Sequence, residues 1–136
     1  MPSLYETRFV EVAIASSAAV SGRFAFQGQR VVGVIVPAAW TAGDISFEIE
    51  RPLYAADNAH TAQSWIKVVN RAGALYKLTG VATSASEYQL VCGDATQADI
   101  IITGPGDGRL VSTNTASEAD VNQDAARTVI VVLADR

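Results

Sequence analysis

The stretch Asp44–Glu50 alternates without a break: Ile45, Phe47 and Ile49 fall on one side, Ser46, Glu48 and Glu50 on the other. A period of two belongs to a β-strand, because successive side chains point to opposite faces of a sheet, whereas a helix would scatter these residues around its axis. The pattern predicts a strand with one dry face and one wet face. Similar short segments recur along the chain, each ended by turn residues. Strands are predicted at Tyr5–Ile14, with Val10, Val12 and Ile14 on one face, and at Val20–Phe26, Arg30–Val36, Gln63–Val69, Leu75–Thr79, Glu87–Cys92, Asp99–Thr103 and Arg127–Leu133. Pro37 stops the third segment. Asn70-Arg71-Ala72-Gly73, Gly80, Gly93-Asp94 and the run Gly104-Pro105-Gly106-Asp107-Gly108 mark turns.

Many short strands with frequent turns, no βαβ alternation and no repeat of fixed period indicate an all-β fold. The expected architecture is an antiparallel two-sheet β-sandwich, jelly-roll-like, formed by residues 1–136 as a single domain. Met1–Arg8 is expected to serve as an N-terminal arm, Arg51–Ala62 as a loop and Gly104–Ala126 as a long loop. Within that loop, Ser117-Glu118-Ala119-Asp120 has the look of a capping box, so a short helical turn through Ala126 is weighed equally against plain loop.

Composition sets the class. The chain is 49% hydrophobic and 18% charged, which is the opposite of the low-hydrophobicity, high-charge signature of disorder. The apolar share rests on Val, Ile and Ala, and β-branched residues favour strands. Net charge is −4 and the ten basic residues are scattered singly, so neither nucleic acid nor an anionic membrane surface is an expected partner. The longest uncharged run, Val31 to Gly43, is interrupted by Pro37 and by Gly33, and falls short of the ~18 residues of a membrane span. The first residues lack a basic segment followed by an apolar one, so no signal peptide is expected and synthesis is placed in the cytoplasm.

The candidate chemical groups are few. His60 is the sole histidine and no Gly-x-Ser-x-Gly elbow accompanies it, so a serine triad has no basis. Cys92 is the sole cysteine, in strand context, and is expected to be a buried, inert thiol. Glu48 and Glu50 share one face of one strand, whereas glycosidase carboxylates flank a cleft from opposed positions; ordinary surface charge is the expectation. Asp120-Val121-Asn122-Gln123-Asp124 matches the first half of a calcium loop, but Ala125 stands where Gly is needed and Val131 where the closing Glu is needed. A weaker site using Asp107 as well remains open at this stage. The Gly104–Gly108 run has no Lys-Ser/Thr after it, and Pro105 removes an amide that a phosphate nest would use. No catalytic, cofactor-binding or metal-binding residue is assigned, no cofactor is expected, and an enzyme is not. Among the aromatics to consider for a sugar contact, Trp40, Tyr54 and Trp65, Trp40 is expected to plug the end of the sandwich, while Tyr54 in its loop is the better candidate for an exposed contact.

Val31–Val36, Ile100–Ile102 and Val129–Leu133 are apolar on both faces. Two explanations stand level: central strands covered by loops such as 104–126, or an outer face buried against a partner. The second leads to an expected homo-oligomer, a dimer or trimer.

One segment carries a resemblance. Val31-Val32-Gly33-Val34-Ile35-Val36-Pro37-Ala38-Ala39-Trp40-Thr41-Ala42-Gly43-Asp44-Ile45-Ser46-Phe47-Glu48-Ile49 resembles a pattern common in small virion structural proteins of tailed bacteriophages: a hydrophobic strand, a Pro-Ala/Ser-x-Trp-Thr turn, then a strand of the form x-Leu/Ile-Thr/Ser-Phe. The segment Val121–Leu133, with its Ala126-Arg127 entry, resembles their closing strand. Together the two blocks cover about a third of the chain, while Arg51–His60 departs from the family pattern. The resemblance implies a capsid decoration (cement) protein in the virion, with the major capsid protein or neighbouring virion proteins as partners. The alternative is a carbohydrate- or receptor-binding module of a fibre or head–tail attachment.

Overall fold

The computed structural model describes residues 7–41, 43–50, 65–70, 72–79, 87–92 and 102–135. Among these described residues nine strands run in chain order: β1 (Thr7–Ile14), β2 (Phe24–Ala25), β3 (Arg30–Val36), β4 (Asp44–Glu50), β5 (Trp65–Lys67), β6 (Lys77–Leu78), β7 (Tyr88–Val91), β8 (Asp107–Thr113) and β9 (Arg127–Ala134). No helix is present among the described residues.

The strands form two antiparallel sheets, one in the order β1-β9-β3-β7 and the other β2-β8-β4-β5, with β6 also paired to β4. Consecutive strands β1 to β4 alternate between sheets, and the late strands β8 and β9 insert beside β4 and β1. This interleaving is the double Greek key of a jelly roll. The pairing of β1 with β9, from Thr7↔Ala134 to Ile14↔Arg127, fixes two ends of the sandwich. One end holds Thr7, Arg30 and Ala134; the other holds Ile14, Val36 and Arg127.

The core lies between the sheets and follows from the alternation. Val12, Ile14, Val34, Val36, Val129, Val131 and Leu133 point in from one sheet, and Phe24, Ile45, Phe47, Leu78 and Leu110 from the other. Phe26, Trp40, Tyr76 and Ile102 fill the margins. Each such side chain contributes roughly 1.5–3 kcal/mol when fully buried, so the apolar interior is the dominant stabilising element. Trp40 is 1% exposed and donates its indole N–H to the Gly43 carbonyl at 3.3 Å, closing the Val36 end as expected. Beside it Gln123, fully buried, accepts the Thr41 amide at 2.9 Å and donates to Ser112 Oγ at 2.9 Å and to the Thr41 carbonyl at 3.3 Å.

Several expectations need correction. Gly104–Ala126 is not one long loop, since it contains β8, an interior strand of its sheet. The glycine read as turn punctuation, Gly108, sits in the strand because a Cβ there would stand 2.7 Å from Phe26 Cζ and 2.8 Å from Phe24 Cζ. Glycine in a strand often marks such a close approach. Ser117 does not start a helix: Thr113 bridges Asp120, the Val121 amide donates to the Ser112 carbonyl, and Asn114 Oδ1 accepts the amides of Ala116 and Ser117 at 2.9 Å. These bonds take up the groups that a helical turn would use. The segment Val20–Phe26 is strand only at Phe24–Ala25, with isolated bridges at Val20 and Ser21. Of Asp99–Thr103, the described pair Ile102-Thr103 lies outside the strands, although the Ile102 carbonyl accepts the Val31 amide at 3.0 Å. Thr7 and Arg8 belong to β1 rather than to an arm. The side of β4 expected to be wet is buried at Asp44 and Ser46, where Ser46 Oγ lies 2.6 Å from Thr113 Oγ1 across the β4–β8 pair.

Candidate functional site

The sandwich offers two outer faces of opposite chemistry. On the five-stranded sheet the register sets Glu48 beside Arg109 on β8 and Lys67 on β5, and Glu50 beside Trp65. Arg109 Nη2 and Nε reach Glu48 Oε1 at 2.6 and 2.7 Å. Arg23, ahead of β2, pairs with Glu50 at 3.0 Å and with Asp107 at 3.2 Å. Both guanidinium groups also approach the Trp65 ring, Arg109 at 4.3 Å from its centroid and Arg23 at 5.4 Å. The result is a lattice of neutralised charges around an aromatic. Each of these anions is paired with an arginine, and the cations on Trp65 contribute ~0.5–2 kcal/mol each depending on their desolvation.

The outer face of the four-stranded sheet is different. Phe9 is 63% exposed there, opposite the buried Val132, and Ile130 and Ile35 lie half-buried alongside. Thr7, Glu11, Thr128 and Gln89 are among its polar members, toward the ends and edges. Val129–Leu133 is apolar on both faces: Val129, Val131 and Leu133 fill the core, while Ile130 and Val132 lie on the outer side, the first half-buried and the second buried.

The candidate residues read from the sequence are spread apart rather than brought together. Asp107 opens β8 while Asp120 bridges Thr113 at its far end, a distance of about 20 Å at strand rise. Asp124 is engaged by Thr41 Oγ1 at 2.8 Å and Arg127 Nη2 at 2.6 Å. The calcium reading that joined Asp107 to Asp120 and Asp124 therefore has no common centre, and no group of three or more metal-ligating side chains occurs among the described residues. Cys92 packs against the core, and burial pushes its thiol up from about 9 to about 11, with a Tyr76 hydrogen bond and the Arg30 charge opposing in part. Trp40 is too buried to stack on a sugar. His60 and Tyr54 lie outside the described residues. The sequence reading missed Arg109, Arg23 and Phe9. Asp107-Gly108-Arg109-Leu110 does alternate in burial, but Gly108 and the preceding Gly-Pro-Gly obscured it, and Val111 breaks the pattern by being buried as well.

Comparison with known proteins returns no match: no family model, no curated protein and no solved structure is significantly similar to this chain.

Proposed function

We propose that this chain is a non-enzymatic virion structural protein, a capsid-decorating protein that binds an assembled shell from outside and reinforces it. The observation that supports this most is the division between the faces: charges pair with one another on the five-stranded sheet, while the four-stranded sheet presents Phe9, Ile35 and Ile130. A partner seated on the second face excludes water from apolar surface without having to neutralise a charge lattice. The Pro37–Trp40 resemblance supplies the kind of partner, the repeated subunits of a phage shell. Binding an assembled shell and not its separated parts favours the closed form by mass action, and a lattice of sites lets modest affinity per copy suffice, more so where neighbouring copies touch. Jelly rolls also serve as lectins, so the fold alone does not choose between the shell and carbohydrate readings.

The test uses shells assembled without this protein. They should form, yet rupture at lower temperature than shells to which the purified protein has been added back. Phe9→Glu places a charge on the apolar face and should abolish both co-sedimentation with shells and the added stability, while the isolated variant keeps its melting temperature. Unchanged rupture temperature with wild-type protein present would count against the reading.

A further inference from the structure

At the Thr7 end of the sandwich lies a hollow of about 340 Å³ lined by Thr7, Arg8, Gln27, Gln29 and Asp135. Three elements build it: the start of β1, the turn before β3 and the end of β9. The turn is tight, with the Gln29 amide donating to the Phe26 carbonyl at 2.9 Å, Gln27 at φ 52° and Gly28 at φ 77°. Two consecutive left-handed residues make a tight turn that carries the chain from one sheet to the other, and the first of them ordinarily is Asn, Asp or Gly. Gln27 instead carries a longer side chain through a backbone conformation that disfavours it, and Gln27 is one of the residues around the hollow. Strain of this kind concentrates where a side chain is needed for something other than folding.

The polar groups form a chain. Arg8 Nε donates to Gln29 Oε1 at 2.9 Å, and Gln29 Nε2 donates to Asp135 Oδ1 at 3.2 Å. Arg8 Nη2 also donates to the carbonyls of Ala25 and Phe26, so its guanidinium is fixed in place. Because the cation and the anion are joined through one amide, their fields offset, and the hollow prefers neither an anionic nor a cationic ligand. Gln29 is spent within this chain; the further donors of the Arg8 guanidinium and the amide of Gln27 are what the hollow holds out to adjacent hydroxyl groups of a sugar ring. The volume lies near the lower bound of ligand sites, roughly 300 Å³, which suits a single ring. A second hollow of about 500 Å³, lined by Gly28, Thr103, Gly104 and Pro105, flanks the same turn and leaves room for a linked unit.

We propose that this end hollow binds a neutral saccharide unit, with Gln27 as its specificity-determining side chain. The site is at the sandwich end and is centred on the Gln27 turn; Thr7 at its rim lies two residues from Phe9 on the same face of β1, so the test variant is placed at Gln27 and not on β1. The experiment is an NMR titration of the labelled full chain with the methyl glycosides of glucose, galactose, mannose and N-acetylglucosamine, and with glucosamine and N-acetylneuraminic acid as charged comparators. At least one neutral glycoside should shift the amides of Thr7, Arg8 and Gln27–Gln29 and saturate in the millimolar range. Gln27→Gly relaxes the backbone and removes the amide: it should keep or raise the melting temperature while weakening binding about tenfold or more, the equivalent of ~1.4 kcal/mol. The proposal is overturned if no neutral glycoside shifts these amides at tens of millimolar, if only the charged sugars do, or if Gln27→Gly binds as well as the wild type.

Discussion

Replacing Gln123 with Ala tests how the Trp40 end of the sandwich is held. The side chain is fully buried and makes four hydrogen bonds: from the Thr41 amide and Arg127 Nε to its oxygen, and from its nitrogen to the Thr41 carbonyl and Ser112 Oγ. Each ordinary bond contributes about 1 kcal/mol net, and a partner left unsatisfied away from water costs about 1–3 kcal/mol. Ser112 is fully buried and loses its donor, while Thr41 loses partners for both its N–H and its C=O. Arg127 keeps Asp124 and loses least. Summing these effects, Gln123→Ala should cost about 3–5 kcal/mol, a large share of the ~5–15 kcal/mol that holds a typical domain together. For a chain of this size that is a fall in Tm of about 10–20 °C. Gln123→Leu fills the volume without the bonds and should lie between wild type and Ala. Urea unfolding followed by Trp fluorescence measures all three, with an unchanged slope confirming the same unfolding reaction. A Gln123→Ala variant within about 1 kcal/mol of wild type would refute the reasoning, because it would mean that these buried groups find other partners at little cost.

Two further outcomes follow from the interior. Gly108→Ala puts a methyl group within 2.7–2.9 Å of the Phe24 and Phe26 rings and should destabilise the fold by about 1–3 kcal/mol in the same urea assay; a neutral effect would show that the rings move aside freely. Cys92 should react slowly with a thiol reagent at pH 8 and promptly once unfolded. Because its folded pKa is raised, its contribution to stability is full below about pH 9 and lost as the pH climbs toward about 11, so Cys92→Ala should flatten that part of the pH–stability curve; equal alkaline slopes for both proteins would contradict this.

How much of this was legible in the sequence depends on what each segment touches. β1, β3, β4 and β9 could be read because their alternation or β-branched density reflects contact with one continuous core, a contact that repeats every second residue. β8 could not, since its opening residues answer to a local constraint: Gly108 is there for two phenylalanine rings more than 80 residues earlier in the chain. Ser46 and Asp44 read as solvent-facing by alternation alone, yet Thr113 on a neighbouring strand turns that end of the face dry. The pairs that organise the surface, Glu48–Arg109 and Glu50–Arg23, join residues whose proximity exists only once the Greek keys are closed. The end hollow is more remote still, because it brings together residues 7 and 135, and nothing in either terminal stretch marks the other as its neighbour.

The topology also explains how shell and sugar readings can coexist in so small a domain. A jelly roll buries one face of each sheet and leaves two outer faces and two loop ends that are nearly independent of one another. Trp40 and Gln123 close one end tightly, which leaves the opposite end, around the Gln27–Gly28 turn, as the place where a cleft can open without disturbing the core. The four-stranded face is set by outward positions on β1, β3 and β9, and substitutions there do not pass through the interior. Phe9→Glu and Gln27→Gly therefore perturb separate regions, and their effects on stability should add. Shell binding lost with the first and sugar binding lost with the second, each without the other, would be the signature of a decorating protein that carries a receptor-facing site. Loss of both with either substitution would instead point to one shared surface and contradict the separation argued from the fold.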